Sequence, residues 1–286
     1  MKTRQSIHFS ETMRQFRYDP IHALRKVKNV CKNRSLGKIK KHAKKTRKRA
    51  KKGKIYARLI EYRLQSKQVI HLIHIGKTGG LAVKEALSPY RFFEDRAISL
   101  REHDFGFQHV PRGEKVIFFL KDPIERYKSA FFSRKRQDWP KFNNFWSIGE
   151  REAFNNFKTP DDLASALSDT NLERQHLATR AMHNIAHINT HFSDWFYSMD
   201  YFLARSSDIY FIGFQETLDE DFETLKQKLE LPELCTLPRD GTKANVDPFK
   251  ESRQLSDTAK QNLRNWYASD YAFLECAKRV KSLLQI

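Results

Sequence analysis

Residues Val69 to Ile75 read VIHLIHI, Gly76 to Gly80 read GKTGG, and Leu81 to Leu87 read LAVKEAL. The first run is apolar and rich in β-branched residues and is closed by glycine, which predicts a buried strand. The apolar spacing of the third predicts a helix. Strand, glycine loop and helix in that order form an anion site, because the helix N-terminus aims the backbone amides of Gly76 to Gly80 at one point and Lys77 adds a positive charge. A glycine turn with a solvent-facing lysine is the plainer reading of the same residues. A Walker A loop would need glycine at position 71, which is histidine.

Working outward, Lys115 to Leu120 (KVIFFL) predicts a second strand leading into Lys121, Asp122 and a helix from about Pro123 to Arg136. Asp122 suits the helix cap and Pro123 the first helical position. Lys121, Asp122, Arg126 and Ser129 then gather at a strand-to-helix turn, where a cation, a hydroxyl and helix-terminal amides make a second phosphate site. Asp122 with Arg126 also reads as a helix-end ion pair. A third strand, Ile209 to Phe214 (IYFIGF), precedes Gln215, Glu216 and a helix over about Thr217 to Leu229. Strands alternating with helices predict a three-layer α/β domain around a mostly parallel sheet. Residues from about 160 to 201 read as a helical insertion, and Leu255 to Leu284 as two helices with Ser256 as a cap.

Two of these stretches together resemble a known family. IHIGKTGGLAVKEAL resembles the 5′-phosphosulfate loop of sulfotransferases, commonly K-T-G/A-G-T/S, and FFLKDPIERYKSAF their 3′-phosphate motif, commonly R-D-P-x-x-R-x-x-S. IGFQETLDEDFETLKQKLEL and LSDTAKQNLRNWYASDYAFLE are similar to segments of the bacterial members of the carbohydrate-type group. The resemblance covers about Val69 to Ala277. It implies a P-loop-like domain over 67–286 and transfer of a sulfuryl group from PAPS (3′-phosphoadenosine 5′-phosphosulfate) to a hydroxyl acceptor, a carbohydrate or glycan. It further implies that Gly76, Lys77, Thr78, Gly79, Gly80 and the following Leu81 line the 5′-phosphosulfate, and that Lys121 and Ser129, with Arg126 beside them, hold the 3′-phosphate. Two positions depart from the pattern. Leu81 stands where a hydroxyl residue is usual, removing one phosphate hydrogen bond, and Lys121 stands for the usual arginine, keeping the charge but losing a bidentate fork.

Sulfuryl transfer moves a group of little charge, so cations and oriented amides suffice by extension from the phosphoryl case, and no metal is expected. Lys77 then stabilises the leaving phosphate oxygen, and a base must deprotonate the acceptor, for which histidine fits near neutral pH. His103, in SLREHDFGFQHV, occupies the place where related enzymes carry their base; His109 is the alternative. His71 and His74 fall on opposite faces of the first strand, as core or strand-end histidines, His74 next to the cofactor loop. His176, His183, His187 and His191 recur at helical spacing, but no H-E-x-x-H accompanies them. Arg134, Lys135 and Arg136 lie at the end of the helix after Ser129, near a place for an acidic glycan or simply in solvent.

The chain has 286 residues and a formal charge of +19, and residues 1–66 carry all of that excess, with 22 basic residues against 3 acidic. Residues 1–66 form a basic arm, helical or disordered, whose densest part is KIKKHAKKTRKRAKKGK from Lys38 to Lys54. An anionic membrane surface or another polyanion is the partner expected of 22–58; sequence-specific nucleic-acid binding is not, because nothing beside the arm reads bases. Cys31, Cys235 and Cys276 suggest neither a disulfide framework nor a zinc site. No signal peptide or membrane-spanning run is visible, so a cytoplasmic protein, peripheral at the inner membrane face, is expected. Two rival functions remain on the sequence: a P-loop-like kinase with Asp122 on magnesium, and a non-catalytic polyanion-binding protein.

Overall fold

A computed structural model describes residues 53–240 and 254–284. The chain divides into two units, Met1–Glu61 and Tyr62–Ile286. In the first, residues 53–61 are helical; the rest of the basic arm lies outside the described residues.

The second unit is built on four parallel strands: β1 (Gln68–Leu72), β2 (Arg96–Leu100), β3 (Lys115–Leu120) and β4 (Ile209–Phe214), in the order β2-β1-β3-β4. β3 is central and apolar on both faces, as a strand covered on both sides must be. Val116, Phe118 and Leu120 face one layer while Ile117 and Phe119 face the other. Helix α1 (Gly80–Leu87) connects β1 to β2. After β3 come α2 (Pro123–Lys135), α3 (Ile148–Asn156), α4 (Pro160–Ser165), α5 (Leu172–Asn184), α6 (Ser193–Phe196) and α7 (Met199–Ala204), then β4, α8 (Leu218–Lys228), α9 (Asp257–Trp266) and α10 (Ala268–Leu284).

Ile117 and Phe119 pack with Val83, Leu87, Phe222 and Leu225 of α1 and α8, while Val116 and Phe118 pack with Phe196, Phe202, Phe273 and Leu274 of α6, α7 and α10. These are the three layers expected. A further core joins Tyr127 and Phe131 of α2 to Phe154, Leu163, Met182 and Leu263, and α3 packs in it ahead of the stretch from about 160 that the sequence suggests as a helical insertion. Two further differences concern strands. β1 ends at Leu72, although Ile73 still donates to the Ile117 carbonyl at 2.9 Å, and RAISL at 96–100 is an edge strand that the sequence pattern did not single out. Asp122 caps α2 with Pro123 behind it, and Ser256 caps α9, both as expected. Among the described residues no helix is long and apolar enough to cross a membrane.

The strand order locates the candidate site. β1 connects outward to β2, whereas β3 connects the other way to β4, so the loops leaving β1 and β3 diverge at the carboxyl edge. Ligands in open parallel sheets bind at that divergence.

Candidate functional site

The loop after β1 turns through two left-handed residues, Lys77 (φ 69°) and Gly79 (φ 82°). At Gly79 glycine removes the steric penalty of that conformation. Thr78 is buried and its hydroxyl donates to the Ile75 carbonyl at 3.1 Å, so its proton is committed inside the loop and a ligand meets its backbone. No side chain caps α1 and no acidic residue occupies its first turn, which leaves the positive end of the helix facing the loop's concavity. Lys77 Nζ donates to Ser133 Oγ at 2.9 Å.

At the exit of β3, Lys121 Nζ donates to Ser129 Oγ at 3.0 Å. The N-terminus of α2 is arranged differently from that of α1. Asp122 Oδ1 accepts from the amides of Ile124 (2.9 Å) and Glu125 (3.0 Å), and its Oδ2 from Tyr271 Oη (3.1 Å). The helix-terminal amides therefore do not join Lys121 and Ser129 in a phosphate site as the sequence suggested, because the capping carboxylate already occupies them. The Asp122–Arg126 ion pair is replaced as well. Arg126 is 1% exposed, and its guanidinium donates to Gly76 O (3.0 Å), Thr190 O (2.8 Å) and Thr190 Oγ1 (2.5 Å). It braces the glycine loop from beneath.

Arg126, Ser129 and Ser133 follow one another at three and four residues along α2 and so share one face, with residues four apart about 6 Å from each other. The two lysines, arriving from different strand ends, meet that face one turn apart. Ser133 in turn donates to Asp138 Oδ1 at 2.7 Å. Desolvation pushes the Asp138 carboxyl up, but hydrogen bonds from Ser133 and Asn144 and the charge of Arg134 outweigh it and hold it below its ordinary range. Arg134 is buried between Asp138 (2.5 Å) and Glu150 (2.6 Å), so it does not face a glycan as one sequence reading allowed.

Three histidines crowd the loop. The rings of His74 and His103 stack with centroids 3.9 Å apart, and His187 approaches His103 at 5.4 Å. A carbon placed on Gly76 would lie 2.7 Å from His187 Nδ1, and one on Gly80 would lie 2.6 Å from His74 Cδ2, so the two glycines admit these rings. Burial lowers all three histidine pKa values, His74 to about 2 and His187 to about 3, with neighbouring positive groups including Lys77 adding to the effect. At neutral pH the rings are uncharged. His103 Nδ1 lies 3.1 Å from the His74 carbonyl, which can only accept. That contact places the ring proton on Nδ1 and leaves Nε2 with a lone pair, the state a general base needs. Trp195 Nε1 donates to the His103 carbonyl at 2.9 Å and fixes its backbone.

His109 Nδ1 accepts from the Gly106 amide at 3.0 Å, which puts its proton on Nε2, the tautomer opposite to that of His103. His71 is a core residue, with Nε2 2.5 Å from Glu114 and Nδ1 accepting from Arg101 at 3.0 Å. His176 and His183 lie on α5, while His191 pairs with Asp270 at 2.8 Å. Among the described residues no group of three or more His, Cys, Asp or Glu is placed to hold a metal ion. Gln215 donates its amide to Leu120 O (2.8 Å) and Glu216 accepts from the Asp122 amide (2.8 Å), tying the exits of β3 and β4 together.

Lys77, Gly76, Arg126, Ser129, Lys121 and His103 are therefore gathered at one edge of the sheet. Leu81, half-buried in the first turn of α1, brings an amide but no hydroxyl. Sequence reasoning missed Ser133, Asp138 and His187 as parts of this cluster. Scanned against protein-family models the chain matches none, and a search of curated proteins returns no significant match.

Proposed function

We propose that the chain is a sulfotransferase that takes the sulfuryl group of PAPS to a hydroxyl of a carbohydrate or glycan. The observation that carries this reading is the pair of lysines seated on serines one turn apart on α2, Lys77 on Ser133 and Lys121 on Ser129. Two separated cations, one beside an uncapped helix N-terminus, suit a ligand with two separate anionic groups, and a 5′-phosphosulfate and a 3′-phosphate are such a pair. The four-strand parallel sheet between helical layers supports this reading, which takes the domain to be P-loop-like as the resemblance implies.

PAPS, when bound, supplies the activated sulfuryl group. The amides of Gly79, Gly80 and Leu81 and the Lys77 ammonium stabilise negative charge on the phosphate side of the breaking bond. Lys121 and Ser129 fix the 3′-phosphate. His103 Nε2 accepts the proton of the acceptor hydroxyl, and its Nδ1–H stays on the His74 carbonyl, holding the imidazolium that forms. Asp122, with both carboxylate oxygens engaged, gives a magnesium-dependent kinase no support. Residues 22–58 complete the proposal as the segment that docks the enzyme on an anionic membrane or polymer at the cytoplasmic face.

Calorimetric titration with PAP, the desulfated nucleotide, against 5′-AMP tests the reading. It expects PAP to bind at least tenfold more tightly than 5′-AMP, and both Lys77→Ala and Ser129→Ala to weaken it. Equal affinity for the two nucleotides, or none for either, rejects it.

A further inference from the structure

The proposed chemistry uses the carbonyl of His74 and leaves its ring without a task. That ring is 3% exposed, and its Nδ1 is sealed in with no hydrogen-bond partner among the described residues. A buried N–H without an acceptor is rarer than a buried acceptor without a donor, so the single ring proton belongs on Nε2. Burial, with His103 and Lys84 adding to it, keeps the ring neutral and therefore keeps that choice between the two nitrogens.

The surroundings of the ring say where Nε2–H lies. One face stacks on His103. The edge formed by Cδ2 and Nε2 lies against Gly80, where an added carbon would come within 2.6 Å of Cδ2 and 3.1 Å of Nε2. Nδ1 is across the ring from that edge. Gly80 is the first residue of α1, whose N-terminus has neither a side-chain cap nor an acidic residue in its first turn, so Nε2–H stands beside unpaired helix-end amides. The loop is short of side-chain donors at this place. The Thr78 hydroxyl is committed to the Ile75 carbonyl, Leu81 has no hydroxyl, and Lys77 is the other loop side chain that carries a proton.

We infer that His74 Nε2–H is a side-chain donor to an oxyanion at the N-terminus of α1, taking the place of the hydroxyl that Leu81 lacks. The stack then sets donor and base side by side: His74 holds a phosphate or sulfate oxygen while His103 takes the proton of the acceptor. Naming the anion as part of PAPS rests on the transferase reading; the oxyanion site itself does not. A histidine kept for packing alone would be replaceable by phenylalanine.

The test uses the full chain with nitrogen-15-labelled histidine. Proton–nitrogen correlation spectra of the rings report each tautomer, and the signals of His74 are those missing from His74→Gln. PAP and inorganic sulfate are titrated separately, and PAP affinity is measured by calorimetry in wild type, His74→Gln, His74→Phe and His74→Phe/Leu81→Thr. The glutamine amide can stand where Nε2 stood, whereas phenylalanine fills the space without a donor. The His74 proton should lie on Nε2, and PAP should move that resonance. His74→Gln should bind PAP within about threefold of wild type and His74→Phe roughly tenfold or more weakly, with Leu81→Thr restoring part of the loss. A proton on Nδ1, or an Nε2 resonance that neither PAP nor sulfate moves, overturns the inference, and these spectra decide it even where His74→Phe does not fold. Folded His74→Phe that binds PAP as wild type does also overturns it and leaves the nucleotide reading standing. Sulfate that moves the Nε2 resonance in a wild type to which PAP does not bind supports the oxyanion site while the transferase reading falls.

Discussion

Replacing Gly80 with alanine puts a methyl carbon 2.6 Å from His74 Cδ2 and 3.1 Å from its Nε2. Carbon atoms settle at about 3.5–4.0 Å, so the imidazole must retreat by roughly 1 Å. It has little room, being 3% exposed and stacked at 3.9 Å on His103. Overpacking of this kind costs about 1–3 kcal/mol. Alanine is the better helix former by up to ~1 kcal/mol, which offsets part of that cost. The single variant should lose about 0–2 kcal/mol, a range whose sign alone decides little. A double-mutant cycle with His74→Ala isolates the steric part. Once the ring is gone, Gly80→Ala should be neutral or stabilising, and the coupling between the two positions should equal the overpacking cost, ~1–3 kcal/mol. Urea unfolding of the four proteins, followed by circular dichroism, measures it. Effects that add within about 0.5 kcal/mol would refute the argument that Gly80 exists to admit His74.

Two further outcomes follow from buried charge. His74 and His187 stay neutral in the fold, with pKa values near 2 and 3, whereas in the unfolded chain each takes up a proton below pH ~6.5. Their contribution is thus complete above that pH and declines as the pH falls through it, by at most about 1.4 kcal/mol per pH unit for each ring. His191, raised by its hydrogen bond to Asp270, acts the opposite way and offsets part of the decline. Urea midpoints should drop from pH 7.5 to pH 5, and His74→Ala should flatten the slope; midpoints independent of pH in both proteins would contradict this. Glu150→Gln leaves the buried Arg134, 4% exposed, with Asp138 as its remaining carboxylate and should cost about 1.5–3 kcal/mol, the loss of one charge-assisted hydrogen-bonded partner. Thermal unfolding at pH 7.5 checks it, and a loss below 1 kcal/mol would show that water reaches Arg134.

What the sequence disclosed depended on how local the signal was. KVIFFL needed no partner to be recognised, since five apolar residues in a row closed by Lys-Asp-Pro state both a buried strand and a capped helix. RAISL was hidden because its three buried residues are too few to show a period and arginine flanks them. Ser133 could have been found: it is Ser129 plus four, on the same helical face. His187 could not, because helical spacing groups it with His183 and His191, whereas it sits after α5 in a left-handed turn (φ 68°) and reaches the loop only through tertiary packing. Asp138 likewise reaches Ser133 by a reversal of the chain that no periodicity announces.

These contacts converge on α2. Arg126, Ser129 and Ser133 form one stripe at i, i+3 and i+7, and each receives or supports a different piece: the carbonyl of Gly76, the ammonium of Lys121 and the ammonium of Lys77. The loop of β1 and the exit of β3 diverge in the sheet, so neither could position its lysine relative to the other without a common support. Asp122 fixes where α2 starts, and its apolar side, Tyr127 and Phe131, is locked in the helical core. Rotation of α2 about its axis would therefore separate all three contacts together. For that reason a packing change at Phe131, which touches neither lysine, should disturb the seating of Lys77 and of Lys121 at once, whereas a change in α1 should disturb only that of Lys77.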